Sequence, residues 1–434
     1  MGSTRTVLTV PTSFLAHFKA LKQSGFQTMS TPAFSHLSSY PGDPILGLVE
    51  TFKADVRSNK INLSIGYYYD EQGSIPKLRS VVKAAALNHS EDQNDGYLPM
   101  AGSQAFIDEA SRLVFGEDSH VIQQRNVASV QTLGGSGALK LGADFLKAAF
   151  PDCRIYVSDP TWDNHIAIFE GAGLVVDRYP YLRQGTLAID QLRDVFATAA
   201  RGSVFVMQPC GHNPTGIDPT AEQWEQILGD AKRFGHILFM DMAYMGFGKG
   251  VEEDVAPVRI AAAMGITMLV STSFSKNFSV YSERLGMLGV VCSGAEESQI
   301  VLGRLKALVR SNYSSPPRHG AAVVTSILSD PELHSLWKFE IAGMRARIQR
   351  MRQLLASEMQ TVAPDVDVSF LLTQNGMFSY TGLSVAQVDT LRREFAIYLL
   401  SSGRMCLPGL TERNIKWVAQ GLARVMSKQS KIEN

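Results

Sequence analysis

Cysteine is scarce in this chain: four residues in 434, Cys153, Cys210, Cys292 and Cys406, all far apart. That spacing excludes a disulfide framework and a paired-thiolate metal site, and it fits a reducing compartment. Net charge is missing too. The 41 basic side chains balance 41 acidic ones, so no whole-protein field points to nucleic acid or an anionic membrane. No apolar run is long enough to span a bilayer, and neither repeats nor a low-complexity linker break the sequence. What is present, 45% hydrophobic and 19% charged residues, is the composition of a soluble globular enzyme. Its length allows a large core and two or three folding units.

Acid is absent from residues 1–42, the first being Asp43. Arg5, Lys19 and Lys22 are the basic residues there, and Phe14, Leu15, Phe18 and Leu21 recur at helical spacing. Two readings stay open. The segment is an organellar transit peptide, or Met29 is the true start and the upstream residues are incidental; the low basic content favours the second. In either case residues 1–42 are expected to be disordered and outside the fold. The expected compartment is the cytoplasm, or the mitochondrion if the segment is a transit peptide.

After Asp43 the text changes. Asp43-Pro-Ile-Leu-Gly-Leu reads as a capped helix start, and Ile61–Asp70 reads as a strand entering a turn at Gly66. A helix is expected around Pro76–Leu87. Short apolar strands then alternate with amphipathic helices: Val127–Gln131, Arg154–Ser158, Leu174–Arg178, Val204–Gln208, Ile237–Met240, Met268–Thr272 and Gly286–Val291. That alternation predicts a mostly parallel sheet wrapped by helices, with ligands beyond the carboxyl ends of the strands. A long helix from Pro331 to about Glu358, the stretches 366–373 and 376–380, and a helix from about Ser384 suggest a smaller α/β unit.

The residues just past the strands carry the chemistry. Lys276 sits in a serine cluster at a strand mouth, with Arg284 eight positions on. Poor solvation disfavours a charged lysine and leaves an amine able to attack a carbonyl. Ser273, Ser275 and Arg284 suit a phosphate beside it. Gly135 and Ser136, in a glycine-rich turn that opens a helix, offer a second phosphate contact. A phosphate-bearing aldehyde that fits both is pyridoxal phosphate. Asp241 ends an apolar strand and would pair with a protonated pyridine nitrogen, or with a buried arginine. Trp162 supplies either a flat stacking face or core, and His165 either a hydrogen-bond partner or a structural ring. Asn213 lies in a tight Pro/Gly loop. Arg310 and Arg404 have the planar fork that suits carboxylates.

Together these strings resemble the aspartate/aromatic aminotransferase family of pyridoxal-phosphate enzymes. The matches are Asp43-Pro-Ile-Leu-Gly-Leu, Gly134-Gly-Ser-Gly-Ala-Leu, Asp159-Pro-Thr-Trp-Asp-Asn-His, His212-Asn-Pro-Thr-Gly-Ile-Asp-Pro, Ser273-Phe-Ser-Lys-Asn-Phe and Asn312-Tyr-Ser-Ser-Pro-Pro, in the family's order. The resemblance implies the fold type I of these enzymes, an α/β fold with a seven-stranded sheet in a large domain, 76–343. Residues 43–75 and 344–434 would form a small domain.

It also implies roles. Lys276 would hold the cofactor as a Schiff base and then move protons. Asp241, backed by His165, would face the ring nitrogen, Asn213 and Tyr244 the phenolic oxygen, and Trp162 the ring face opposite Ala243. Gly135, Ser136, Ser273, Ser275 and Arg284 would hold the phosphate, and Arg404 the substrate's α-carboxylate. Gly66 and Phe378 would close over the site. A homodimer is implied, with Tyr97 reaching the neighbour's phosphate and Arg310 the neighbour's substrate. The substrates would be an amino acid and a 2-oxo acid. Arg310 favours aspartate, whereas Tyr69, Ile75, Ser136, Ser315 and the strings Leu98-Pro-Met, Gln131-Thr-Leu and Arg404-Met-Cys resemble the aromatic branch. Tyrosine and phenylalanine activity is therefore expected together with aspartate, against 2-oxoglutarate. Gly96 and Tyr67 match neither branch.

Overall fold

A computed structural model describes residues 33–38, 42, 44–90 and 96–427. The expectations for residues 1–32 and for a cap at Asp43 lie outside these. The chain divides into two compact units, Met1–Asp43 and Pro44–Asn434, and every helix and strand among the described residues belongs to the second.

Seven strands form the main sheet: β1 (Val127–Leu133), β2 (Arg154–Asp159), β3 (Val175–Pro180), β4 (Val204–Met207), β5 (Ile237–Met242), β6 (Met268–Ser273) and β7 (Leu285–Val291). Their order is β1-β7-β6-β5-β4-β2-β3. All pairings are parallel except those of β7, which runs antiparallel to both β1 and β6. Every residue of β4 to β7 is buried, as expected when helices cover both faces of a sheet and the strands read as continuous apolar runs. All seven expected strands exist, with ends shifted where a neighbour extends the ladder. β1 continues to Leu133 because Leu285 pairs with it.

Local chemistry explains other differences. The helix that the glycine-rich turn was expected to open begins at Gly134, so the glycine run is itself the first turn, where backbone N–H groups have no partner inside the helix. The helix expected from Pro76 starts at Arg79. Its first N–H groups, those of Arg79 and Ser80, donate to the Glu340 carboxylate from a distant helix. Only Ile61–Asn62 of the stretch Ile61–Asp70 is strand. Beyond it the backbone bonds go elsewhere, the Tyr68 N–H donating to the Tyr281 hydroxyl at 2.8 Å.

Ile61–Asn62 pairs in parallel with Ile397–Tyr398, and Phe378–Tyr380 pairs antiparallel with Arg404–Cys406. The long helix Pro331–Val362 starts with Asp330 accepting from the Glu332 and Leu333 N–H groups and with Pro331 in its first turn. Near its start Trp337 stacks on Phe278, ring centroids 4.6 Å apart, and donates to the Asn277 carbonyl. The helix therefore braces the loop that carries Lys276. Residues 369–373, in the stretch 366–373, form a short helix.

Candidate active site

Beyond the carboxyl ends of β4, β5 and β6 lies a cavity of about 400 Å³. Gly66, Gly135, Ser136, Trp162, Asn213, Asp241, Tyr244, Ser273, Ser275, Lys276 and Arg284 all line it. Three further expected residues stand behind that wall. His165 contacts Asp241, Arg404 contacts Asn213, and Phe378 lies against Gly66 and Tyr244.

Asp241 is 5% exposed. A carboxylate at that depth needs partners. Its Oδ2 lies 3.0 Å from His165 Nε2, and its Oδ1 accepts from the Ser271 hydroxyl at 3.3 Å. His165 Nδ1 lies 2.8 Å from Thr161 Oγ1. The alternative of an arginine partner is not what the structure shows: the acid is backed by an imidazole and faces the cavity. Lys276, half-buried, lies 5.1 Å from the centroid of the Tyr244 ring. Burial pushes its amine down to about 8, with Asp241 opposing and Arg284 and Arg404 adding to the shift. Burial likewise raises the Tyr244 phenol.

At the phosphate end, Arg284 Nη1 donates to Ser275 Oγ at 3.2 Å and to the Tyr281 carbonyl at 3.1 Å. Arg284 packs so tightly on the helix start that a Cβ on Gly134 would meet its Nη2 at 2.6 Å. Gly134 has φ +70, so two independent constraints select glycine there. At the opposite end, Arg404 is 3% exposed. It donates to Asn213 Oδ1 at 2.9 Å and the Ser64 carbonyl at 2.5 Å, and sits 4.4 Å over the Phe378 ring. Asn213 Nδ2 in turn donates to the Tyr244 hydroxyl at 3.3 Å.

Two expected residues are not in this cavity. Tyr97 is 97% exposed, and Arg310, at the end of the helix Ala295–Asn312, donates to Ser314 on the surface. Conversely, Gln208, Tyr67 and Tyr281 line the cavity, and Ser271 joins Asp241 to the Gly135 carbonyl at 3.2 Å. Gln208 and Ser271 were detectable as polar residues ending or interrupting apolar strands; Tyr281 carried no such signal.

The donors fit pyridoxal phosphate. Hydroxyls, helix-start amides and a guanidinium gather at one end, a buried carboxylate faces the middle, and an amine of lowered basicity stands beside both. A parallel sheet with this constellation defines a pyridoxal-phosphate-dependent enzyme. The family model for aminotransferase class I and II matches residues 58–422. The aromatic-amino-acid aminotransferase of Escherichia coli (strain K12) is 50% identical over 396 residues, covering 91% of this chain and 100% of that one. An aspartate aminotransferase of Pseudomonas aeruginosa is 44% identical, covering 91% and 99%. A crystal structure of an aromatic-amino-acid aminotransferase from Burkholderia pseudomallei, covalently bound to pyridoxal phosphate, superposes with a TM-score of 0.89 at 42% identity, covering 91% of this chain and 99% of that one. The chain belongs to the class I and II aminotransferase family, and its cofactor is pyridoxal phosphate.

Proposed function

We propose that the protein is an aromatic-amino-acid aminotransferase, moving the amino group of tyrosine or phenylalanine, and also of aspartate, to 2-oxoglutarate in a ping-pong sequence. The observation that carries this reading is the placement of Lys276, an amine lowered to about 8, in one cavity with Asp241 and the Ser273–Ser275–Arg284 cluster. When bound, pyridoxal phosphate supplies an electron sink for the bonds at the substrate's α-carbon.

The chain's residues then divide the work. Ser136, Ser273, Ser275, Arg284 and the Gly135 amide would hold the phosphate. Asp241, kept in place by His165 and Ser271, would keep the ring nitrogen protonated. Asn213 and Tyr244 would meet the phenolic oxygen, and Trp162 would cover one ring face with Ala243 on the other. Arg404 would bind the α-carboxylate shared by all substrates. Lys276 Nζ, its basicity lowered to about 8, would in its neutral form take the proton from the substrate's α-carbon.

Tyr97 and Arg310, outside the cavity of their own chain, would serve the cavity of a second copy in a homodimer. Residues 76–343 would form the large lobe, and 43–75 with 344–434 the small one, closing by way of Gly66 and Phe378. The reducing-compartment cysteine pattern supports a cytoplasmic location, and no helix among the described residues is long and apolar enough to cross a membrane. Steady-state rates with tyrosine, phenylalanine and aspartate against 2-oxoglutarate test the reading. All three should turn over; activity with aspartate alone would remove the aromatic assignment.

A further inference from the structure

A buried cation outside the cavity has no role in the chemistry above. Arg352, in the middle of the long helix Pro331–Val362, is 4% exposed and has no carboxylate within ion-pair distance among the described residues. Its guanidinium is surrounded by carbonyls instead. Nη1 donates to Leu371 O at 3.3 Å, and Nη2 lies within reach of Asn375 O at 3.1 Å, Gly376 O at 3.0 Å and Phe378 O. Burial pushes it down to about 9, and the acid that opposes this is Asp218.

Asp218 is the other half of the arrangement. It accepts from the Gly211 N–H at 2.8 Å and the His212 N–H at 2.9 Å, so it fixes the loop that carries Asn213. Burial raises the Asp218 carboxyl, with the His212 and Gly211 N–H groups and the Asn375 side chain opposing, while the Asn375 backbone N–H donates to the Gly216 carbonyl at 2.5 Å. The two loops therefore meet backbone to backbone. At Gly216, φ +68, a Cβ would strike the Phe378 carbonyl oxygen at 2.5 Å. One loop delivers Asn213 to Arg404, and the other delivers Phe378 beneath the same guanidinium.

We infer that Arg352 and Asp218 are positioning residues for the carboxylate-binding end of the cavity: together they clamp the Asn213 loop and the Phe378 segment and so fix the seat of Arg404. An arginine suits this position because one planar fork can serve several carbonyls at once, which an ammonium cannot do in the same geometry. Neither residue touches the cavity. Their effect should therefore fall chiefly on the binding of whatever Arg404 holds, by the same factor for every substrate, and leave the phosphate and ring-nitrogen contacts untouched.

The inference rests on the proposed role of Arg404, and the test separates the two. In the holoenzyme, Arg352→Gln should raise KM for tyrosine and for aspartate equally, by about tenfold, the worth of one misplaced charge-assisted contact. The cofactor should be retained in full, as read by its visible band, and kcat reduced far less. Asp218→Asn should give the same signature at smaller size, and Arg352→Lys should recover part of the loss. Arg404→Lys is the control. If it leaves KM unchanged, the role of Arg404 fails and the clamp fails with it. If it raises KM while folded Arg352→Gln and Asp218→Asn do not, only the clamp is overturned. Loss of the cofactor spectrum in either clamp variant would also overturn it, since that reports general damage. Should Arg352→Gln not fold, Asp218→Asn carries the same comparison.

Discussion

At the cofactor end of the cavity, Asp241, His165, Ser271 and Lys276 are bonded to or packed against residues of β5, β6 and the helix starts beside them, all within one chain. At the substrate end, Arg404 is held by segments drawn from three distant parts of the sequence, while Arg310 lies exposed on the surface of its own chain. A sheet edge can fix a few side chains rigidly because its strands are buried on both faces. Loops can be varied without disturbing that edge. The chemistry is thus placed on the rigid part of the architecture, and the choice of substrate on its loops and short strands.

Four changes test that division. Lys276→Ala should lower kcat by about 10⁴-fold or more, since the residue acts as both anchor and base. The protein should still take up pyridoxal phosphate but lose the absorbance of the lysine-bound form. Asp241→Asn should lower kcat by about 10²–10³-fold, as loss of a preorganised charge does, with KM little changed. Both effects should be alike for aspartate and tyrosine, because this end is blind to the side chain. Arg310→Leu should break the symmetry, reducing kcat/KM for aspartate by about 10²-fold through one lost charged contact while tyrosine stays within a few fold. Equal losses for both would place Arg310 outside substrate choice.

The smallest effect is that of pH. Burial lowers Lys276 from 10.5 to about 8. Between those values the folded, cofactor-free chain holds it neutral while the unfolded chain holds it charged. Stability from this group therefore rises from pH 8 to 10.5, and it is lost as pH falls back through 8. Cofactor uptake should quicken by about fivefold between pH 7 and pH 8, following the neutral fraction, and level off above. A rate still climbing at pH 10 would show an unperturbed lysine.

The two ends also differed in how far the sequence disclosed them. Asp241 and Gln208 each follow an uninterrupted apolar run, and Lys276 follows a β-branched run that ends in serines, so strand patterning alone puts them at the ends of strands. Arg404 could be placed only as a fork between glycine and a short apolar stretch, because its strand of three residues pairs with Phe378–Tyr380 and neither is long enough to show a period. The pairing of Ile61–Asn62 with Ile397–Tyr398 was hidden for the same reason. Arg352 lay in a helix whose arginines all looked alike. What sets it apart is four carbonyls supplied by a later loop, and local pattern holds no trace of them.

A single half-reaction tests the aminotransferase assignment most directly. The holoenzyme should be mixed with excess tyrosine, without any oxo acid, and followed by its visible spectrum and by the 2-oxo acid released. One equivalent of 2-oxo acid per site should appear in step with a complete spectral change, then nothing more until 2-oxoglutarate restores the original band. Continued consumption of tyrosine without an acceptor, or no spectral change at all, would contradict the assignment.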